Sequence, residues 1–438
     1  MFFTIIIVSL TILAFIGFII FKPVVTIGKT KLETFWIVAL IGALLLIIFN
    51  KVTILEVKTN LFNNSSMNPI KLLIIFISMS GLSIILEILG FFKKVASTVL
   101  KKAGGSQLKI FIYLYITVAI LTIFTSNDII ILTFTPIIIY FAKHAKINPI
   151  PLLIAEFVAA NTWSLMLIIG NPTNIYLAST FGITFIEYFK VMLIPTIITG
   201  LFTFVLLYLL FKKTLSEKIE VNTINEEKVK DSFLVNVILV HLLLCTVLLT
   251  IASYINIEMH LISLVFLISA ILFIVLYQTL VLKEKPFYLI HTLKNIPWNL
   301  IPFVISMFIL VIGLNKFDVT KQLYVLLSKT DPIFGYGLSG FFASNLINNI
   351  PMSVLYTNII SHIPMSDTIT LNKAIYGSII GSNIGAYLTP IGALAGIMWM
   401  RMLKNEQIDL SFTKFMKFGT IIAIPTMLVA LTVLMIIL

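Results

Sequence analysis

Charged residues and cysteine are scarce in this chain of 438 residues. Aspartate, glutamate, lysine and arginine together make up 11 % of it, whereas 59 % is hydrophobic and the mean hydropathy is +1.10. Such a composition lies far outside that of soluble domains and excludes a soluble globular fold. The single cysteine, Cys245, excludes an internal disulfide and a metal site built from several cysteines. A membrane protein is the class that remains.

Enzyme motifs are also missing from the sequence. It contains no H-E-x-x-H, no G-x-S-x-G and no ATP-binding P-loop, and its five histidines fall in separate segments. We therefore expect no enzyme activity, no metal site and no cofactor apart from a coupling ion, H⁺ or Na⁺. Any dependence on ATP would have to come from a separate ATPase subunit.

The net charge of +12 does not indicate a nucleic-acid partner, because the basic residues are scattered through short loops. Apolar runs such as 2–20, 71–90 and 233–253 each reach the roughly 20 residues that a helix needs to cross a bilayer. The lipid bilayer is therefore the expected environment. We expect the first of these runs to be a retained span, since it lacks the basic start and cleavage site of a signal peptide.

The hydropathy pattern predicts an all-α polytopic membrane protein with about 10 transmembrane helices. The expected spans lie near residues 2–21, 32–50, 70–90, 149–182, 190–211, 232–253, 260–282, 297–315, 371–402 and 413–437. Two further apolar segments, 108–142 and 333–362, are interrupted in the middle by polar residues. We interpret them as re-entrant hairpins, because irregular backbone at membrane depth is tolerated only where protein or a cavity covers it.

The interruptions recur after 222 residues (349 − 127 and 383 − 161), which predicts two inverted repeats with broken helices. Span 149–182 needs its break, since a continuous helix of that length would be about 50 Å long, against a core of about 30 Å. The predicted divisions are scaffold helices 1–69, first repeat 70–211, cytoplasmic linker 212–231, scaffold helices 232–296 and second repeat 297–438.

The distribution of basic residues predicts the orientation. With both termini outside the cytoplasm, the loops 22–31, 93–109, 143–146, 212–230, 283–294 and 401–417 become cytoplasmic. Together they contain 22 of the 30 lysine and arginine residues, as the positive-inside rule requires. We expect a multi-pass protein of the cell membrane.

Four breaks share one local pattern, an amide or hydroxyl residue at the start of a half-helix. They lie at Asn127-Asp128, Asn348-Asn349, Asn171-Pro172 and Thr389-Pro390. Asn, Asp and Thr are favoured helix caps, and proline is favoured at the first helical position. Four helix N-termini that converge near the midplane would form a site for an anion or an oxygen-rich neutral solute.

The candidate substrate- and ion-binding residues are those at and around these breaks. They are Ser126, Asn127, Asp128, Asn161, Asn171, Pro172, Thr173, Asn174, Asn345, Asn348, Asn349, Asn383, Thr389 and Pro390. Carboxylates inside membrane spans are costly and usually functional. The candidates for proton coupling are therefore Asp128, which we expect to cap its helix, followed by Glu156 and Glu87.

Five segments together resemble the ion transporter superfamily. They are SNDIIILTFTP (126–136), IIGNPTN (168–174), ASNLINNIP (343–351), GSN (381–383) and LTPIGALAGIMW (388–399). The likeness is to arsenite/antimonite permeases and related sodium/proton antiporters. It implies inverted repeats, two re-entrant hairpins, alternating access and a homodimer, and it allows a separate ATPase subunit. On this resemblance Asn127, Asp128, Asn349, Thr389 and Pro390 are binding positions.

The chain also departs from the arsenite permeases. It has Asn161 where they lead us to expect an aspartate, and its Gly170-Asn171-Pro172 step is nearer that of the sodium-coupled carboxylate carriers. The leading hypothesis is proton-coupled export of arsenite or antimonite. The alternatives are a sodium/proton antiporter and a sodium-coupled di- or tricarboxylate symporter. Because one cysteine cannot supply several thiolates, arsenite would be bound as its neutral hydroxide.

Overall fold

The fold is described from a computed structural model, which confirms an all-α polytopic membrane protein. The structure describes all residues except 28–29, 63–67, 104, 218, 220–228, 253 and 256. Within the described residues, eight helices are long and apolar enough to cross a membrane. Seven of them coincide with predicted spans, and the eighth, Gln107–Phe124, lies in the first segment predicted as a hairpin. The number of spans and the re-entrant path of both hairpins therefore stay predictions.

The N-terminal half consists of helices that alternate between long and short. They are α1 (Phe2–Phe21), α2 (Thr34–Ile48), α3 (Ile54–Phe62), α4 (Pro69–Ile88), α5 (Phe91–Ala103), α6 (Gln107–Phe124), α7 (Asn127–His144), α8 (Ile150–Trp163), α9 (Pro172–Thr180) and α10 (Phe185–Leu215). A 3₁₀ turn, Ile168–Gly170, lies between α8 and α9. Helix α10 continues four residues into the predicted linker 212–231, half of which lies outside the described residues.

The C-terminal half repeats this order from α14 onward. Its helices are α11 (Ser232–Ile251), α12 (Met259–Leu276, extended by a π-turn at Tyr277–Val281), α13 (Phe287–Asn295), α14 (Leu300–Lys316), α15 (Val319–Leu327), α16 (Pro332–Ile347), α17 (Asn349–Ile360), α18 (Thr368–Gly385), α19 (Leu394–Asn405) and α20 (Phe412–Ile437). A 3₁₀ turn, Pro390–Gly392, lies between α18 and α19.

One offset of 222 residues relates the elements of the two halves. It separates the start of α7 from that of α17, the end of α8 from that of α18, the first 3₁₀ turn from the second, the start of α9 from that of α19, and the end of α10 from that of α20. Because the numbers of residues between these matched points are the same in both halves, a position in one half can be compared with its equivalent in the other.

The helices outside the repeat cross over to the opposite half. Helices α1 and α2 pack against α14, where Phe303 stacks on Phe15 at 5.8 Å and meets Phe35 edge-on at 5.1 Å between ring centroids. Helices α11 and α12 pack against α4 instead. Each pair of scaffold helices therefore buries apolar surface against the half to which it does not belong in sequence, which ties the two halves together.

One predicted loop contains strands. Residues 22–31 were expected to be a cytoplasmic loop, but Val24–Ile27 and Thr30–Glu33 pair as an antiparallel hairpin of strands β1 and β2, with Val24 opposite Glu33. The run Val24, Val25, Thr26, Ile27 is rich in β-branched residues, which favour extended backbone. The hairpin leads directly into α2.

Helix α18 approaches α16 unusually closely along a row of glycines at positions 377, 381 and 385. A Cβ atom at Gly381 would lie 2.4 Å from the carbonyl oxygen of Gly337, and one at Gly377 would lie 2.7 Å from that of Ile333. Small residues at every fourth position allow such close backbone approach between membrane helices. The equivalents of these three positions in α8 carry side chains, so the corresponding pair, α6 and α8, lacks this contact.

We expect Gly381→Ala to lower the free energy of unfolding by about 1–3 kcal/mol, because the added methyl group meets rigid backbone atoms. Gly17→Ala is the matched control, since a Cβ atom there has nothing within 4 Å and alanine favours a helix. Thermal unfolding of the purified proteins in one detergent would measure both. Equal midpoints for the two variants would contradict the close packing of α16 on α18.

Candidate functional site

The first hairpin tip lies between α6 and α7. The N-cap of α7 is Ser126, whose side chain makes no capping hydrogen bond, and Asn127 and Asp128 occupy the first turn. The expectation that Asp128 caps this helix is therefore wrong, because the N-cap position lies two residues before the carboxylate. Asp128 still lies where the helix dipole favours a negative charge.

The second hairpin tip is more strained. Asn348 caps α17 with φ 71° and ψ 154°, a conformation that few residues other than glycine adopt, and its side-chain oxygen accepts from the Ile350 N–H at 3.3 Å. Its amide nitrogen donates to the carbonyl oxygen of Ile391 at 2.9 Å. This second bond fixes the tip against the 3₁₀ turn between α18 and α19.

The two broken spans contain two caps each, and Asn171 and Thr389 are not equivalent positions although each precedes a proline. Thr389 precedes the 3₁₀ turn, so its equivalent is Leu167, whereas the equivalent of Asn171 is Ala393. The backbone is extended at all four residues. In the first half the polar residue is Asn171, which precedes α9, whereas in the second half it is Thr389, which precedes the 3₁₀ turn. Helix α19 consequently starts without a side-chain cap.

Asn383 is the centre of a hydrogen-bond network between the two halves. Its Oδ1 accepts from Ser164 Oγ at 2.9 Å and from Asn171 Nδ2 at 3.0 Å. Its Nδ2 donates to Asn174 Oδ1 at 2.7 Å and to the Ile379 carbonyl oxygen at 2.9 Å. All four hydrogen-bonding positions of this fully buried amide are thereby filled.

Neighbouring groups extend the same network. Asn171 Oδ1 accepts from both the N–H and the hydroxyl of Thr173 at 3.1 Å, and Ser382 Oγ donates to Thr173 Oγ1 at 2.7 Å. Asn174 donates back to the Ser164 carbonyl oxygen at 2.8 Å. The first break is therefore held by α18 of the other half, and its amides are already satisfied without a solute.

Asn161, the equivalent of Asn383, has different partners. The positions that would face it, equivalent to Ser164, Asn171 and Asn174, are Ala386, Ala393 and Gly396, and none of these side chains can form a hydrogen bond. Asn161 instead accepts from Asn127 Nδ2 at 3.0 Å and donates to the Phe157 carbonyl oxygen at 2.8 Å. The two halves therefore differ in chemistry although they share one element order.

This difference leaves unpartnered polar atoms at the hairpin tips. Asn127 Oδ1 and Ser126 Oγ are buried and have no hydrogen-bond partner among the described residues. Asn349, the equivalent of Asn127, is 4 % exposed and makes no side-chain hydrogen bond to a described residue, since Asn383 is fully occupied elsewhere. Unpartnered buried polar groups cost free energy, so the absence of a protein partner at these three side chains needs an explanation.

Asn345 and Thr389 form a separate clamp. Asn345 Oδ1 accepts from the Thr389 N–H at 3.0 Å and from its hydroxyl at 2.7 Å, while Asn345 Nδ2 donates to the carbonyl oxygens of Phe341 and Gly385. Their polar groups are therefore engaged with the protein. Pro172 and Pro390 each open a helical turn, where a missing N–H is no loss.

Asp128 borders an inner cavity of about 240 Å³. Glu87 and Ser80 of α4 also line it, and its rim carries Arg401, which lies 3.8 Å from Glu33. Asp128 is half-buried, so its carboxylate is within reach of water in this cavity. Two of the three predicted coupling carboxyls therefore share one water-accessible space.

Glu156, the third predicted coupling carboxyl, lies apart from that cavity. It is 0 % exposed, and its two oxygens lie 3.1 and 3.0 Å from the Thr135 hydroxyl. Sequence reasoning missed Thr135, together with Ser164 and Ser382, because single hydroxyl residues in apolar helices form no recognisable pattern. Among the described residues, no group of three or more His, Cys, Asp or Glu side chains could hold a metal ion.

Comparison with known proteins places the chain among transporters. A family model described as "Citrate transporter" matches residues 18–381. The chain is 27 % identical over 388 residues to the "Putative arsenical pump membrane protein" of Bacillus subtilis (strain 168), covering 80 % of this chain and 84 % of the relative. It is 28 % identical over 373 residues to the "Arsenical pump membrane protein" of Escherichia coli (strain K12), covering 82 % and 84 %.

We expect Asn383→Ala to destabilise the protein by about 3 kcal/mol, because it leaves Asn171 Nδ2 and Asn174 Oδ1 buried without the partner they have in Asn383. Asn358→Ala is the matched control, since Asn358 donates only to the Val354 carbonyl oxygen of its own helix. Thermal unfolding of both purified variants would test this. A midpoint for Asn383→Ala equal to that of the control would refute the role of the network.

Proposed function

We propose that this chain, a multi-pass membrane transporter that belongs to the citrate transporter family, exports arsenite or antimonite in exchange for protons by alternating access. The observation that carries the proposal is the chemistry of the breaks. The side chains that contribute polar atoms there are amides and hydroxyls, with Asp128 in the first turn of α7 and no lysine or arginine among them. Such a site suits a neutral solute rich in hydroxyl groups.

The unpartnered atoms at the hairpin tips match the neutral hydroxide of trivalent arsenic. Its hydroxyl groups would donate to Asn127 Oδ1 and accept from the amide of Asn349, the two groups that the protein itself leaves free. Thiolate binding is not available at this place. Cys245 lies on α11 with its thiol 3.9 Å from Met79 Sδ. The names of the relatives, which describe arsenical pumps, support the same solute.

Sodium-coupled symport of a carboxylate is the second candidate, and the family model described as "Citrate transporter" favours it. A citrate trianion, however, needs cationic partners, since burying an uncompensated charge is far more costly than burying a neutral polar group. At the breaks the charged neighbour is Asp128, which is acidic and would repel it. Arg401 lies at the rim of the inner cavity and is already beside Glu33.

The proposed orientation makes this conformation inward-facing. The inner cavity is lined by Pro23, Asn295 and Arg401, which lie in or next to loops that the basic residues assign to the cytoplasm. In this proposal the protein lies in the cell membrane with both termini outside the cytoplasm. A homodimer and a separate ATPase subunit remain further proposals from the family resemblance.

Everted vesicles that contain this protein should accumulate arsenite when a proton gradient, acid inside, is imposed, and an uncoupler should abolish the accumulation. Excess citrate should not compete, because the site lacks cationic side chains. Vesicles without the protein are the control for leakage. Sodium-dependent citrate uptake by folded, inserted protein that leaves arsenite unmoved would reject arsenite export and establish the second candidate.

We expect Asn349→Ala to weaken arsenite binding without the loss of stability predicted for Asn383→Ala, since Asn349 has no protein partner to lose. The apparent KM for arsenite in the vesicle assay should rise by roughly tenfold, the effect of about 1.4 kcal/mol from one hydrogen bond to the solute. Asn358→Ala is again the control, being on the same helix. An unchanged KM for Asn349→Ala would exclude Asn349 from the binding site.

A further inference from the structure

Glu156 is a buried carboxyl group that solute binding does not use. It lies in the middle of α8, is 0 % exposed and does not line the inner cavity that reaches Asp128. It has no ion-pair partner, and no charged side chain among the described residues acts on it. An ionised carboxylate in such a place would be very costly, so its protonation state must be linked to its neighbours.

The geometry around Thr135 indicates that state. The Thr135 hydroxyl has one proton, and its closest acceptor is the Ile131 carbonyl oxygen at 2.7 Å. A carbonyl can only accept, so Thr135 donates to Ile131. The two Glu156 oxygens lie 3.1 and 3.0 Å from Thr135 Oγ1, and once the Thr135 proton is donated to Ile131, one of these contacts is a hydrogen bond only if the carboxyl group supplies the proton. Glu156 can supply it only as the neutral acid.

A second donor beside Glu156 is unused. Trp399 is fully buried on α19, and its indole N–H faces the carboxyl group without forming a hydrogen bond of regular geometry. A buried donor without a partner is costly. A neutral Glu156 offers it little, whereas an ionised Glu156 would attract it strongly, because hydrogen bonds to charged groups are about twice as strong as neutral ones.

These contacts join the two halves of the protein. Glu156 and Thr135 belong to α8 and α7 of the first half, whereas Trp399 belongs to α19, the half-helix that follows the second break. Helix α19 packs against α7, and the Trp399 ring lies 5.0 Å from that of Phe157 on α8. A change in the charge of Glu156 would therefore change how one half packs on the other.

We propose that Glu156 is the site at which the transported proton is held, protonated in this conformation. When α19, which lines the inner cavity, moves to bring the Trp399 N–H onto the carboxylate, Glu156 releases its proton to the water of that cavity on the cytoplasmic side. Thr135 and Trp399 are the positioning residues. The proposal rests on proton-coupled transport as the function of the protein. It assigns the water-accessible Asp128 to the solute site and the sealed Glu156 to the energy-coupling step.

Infrared spectroscopy of the purified protein tests the proton directly and does not depend on the solute. The carboxyl C=O stretch of a protonated, buried acid should be present at neutral pH in the wild-type protein and absent in Glu156→Gln. Glu284→Gln, which removes an exposed carboxyl group, should leave that band unchanged. A spectrum of Glu156→Gln identical to that of the wild-type protein would overturn the proposal.

Two transport assays then separate coupling from solute movement. In everted vesicles, Glu156→Gln should lose accumulation driven by the proton gradient, down to the level reached with an uncoupler. It should still exchange arsenite for labelled arsenite, because that exchange moves no net proton. Gradient-driven accumulation as large as that of the wild-type protein would overturn the proposal. Absence of any arsenite exchange in the wild-type protein would instead reject the proposed solute, and the infrared result would still decide the state of Glu156.

Variants of the positioning residues test the proposal even if Glu156→Gln fails to fold. Trp399→Phe removes a donor to the ionised form only, so the pH of half-maximal transport should move upward by about one unit. Thr135→Val should also displace the pH profile. Thr133→Val, two residues away on the same helix, removes a buried hydroxyl with no partner and should not. Superimposable profiles for all three variants would refute the proposal.

Discussion

A buried amide at membrane depth has four hydrogen-bonding positions to fill, and Asn383 fills all of them. Three of its partners belong to the broken span of the first half, so one side chain of α18 fixes the geometry of the opposite break. No water is available there to replace a missing partner. The positions of α8, α9 and α18 therefore depend on one another.

The same requirement makes the two halves unequal. The positions expected to face Asn161 are alanine and glycine, whereas those that face Asn383 are serine and asparagine. Asn161 therefore accepts a hydrogen bond from Asn127, and polar atoms at the hairpin tips stay unpartnered. The broken span of the first half is thus held by hydrogen bonds to Asn383, whereas both hairpin tips keep unpartnered polar groups. The scaffold helices reinforce this arrangement, since α1 and α2 pack on the second half and α11 and α12 on the first.

Sequence reasoning located the breaks because asparagine and proline mark helix starts at membrane depth. It wrongly placed the start of a half-helix at Thr389, which precedes the 3₁₀ turn. Each broken span has two extended caps four residues apart, and residue type alone does not say which of them begins the helix. It also expected Asp128 to be a cap, a role that belongs to Ser126. Thr135 and Trp399 could not be found, because their role depends on which helices lie beside Glu156.

The constant offset between the halves has a historical consequence. From the start of α7 to the end of α10, no net insertion or deletion separates the first half from the second. Such equality is what the duplication of a gene would leave behind, and the product of the single gene would have been a half-length protein acting as two identical copies. Identical copies must carry identical residues at every position. Only once the two copies were encoded separately could one carry Asn171 and Asn174 where the other carries Ala393 and Gly396.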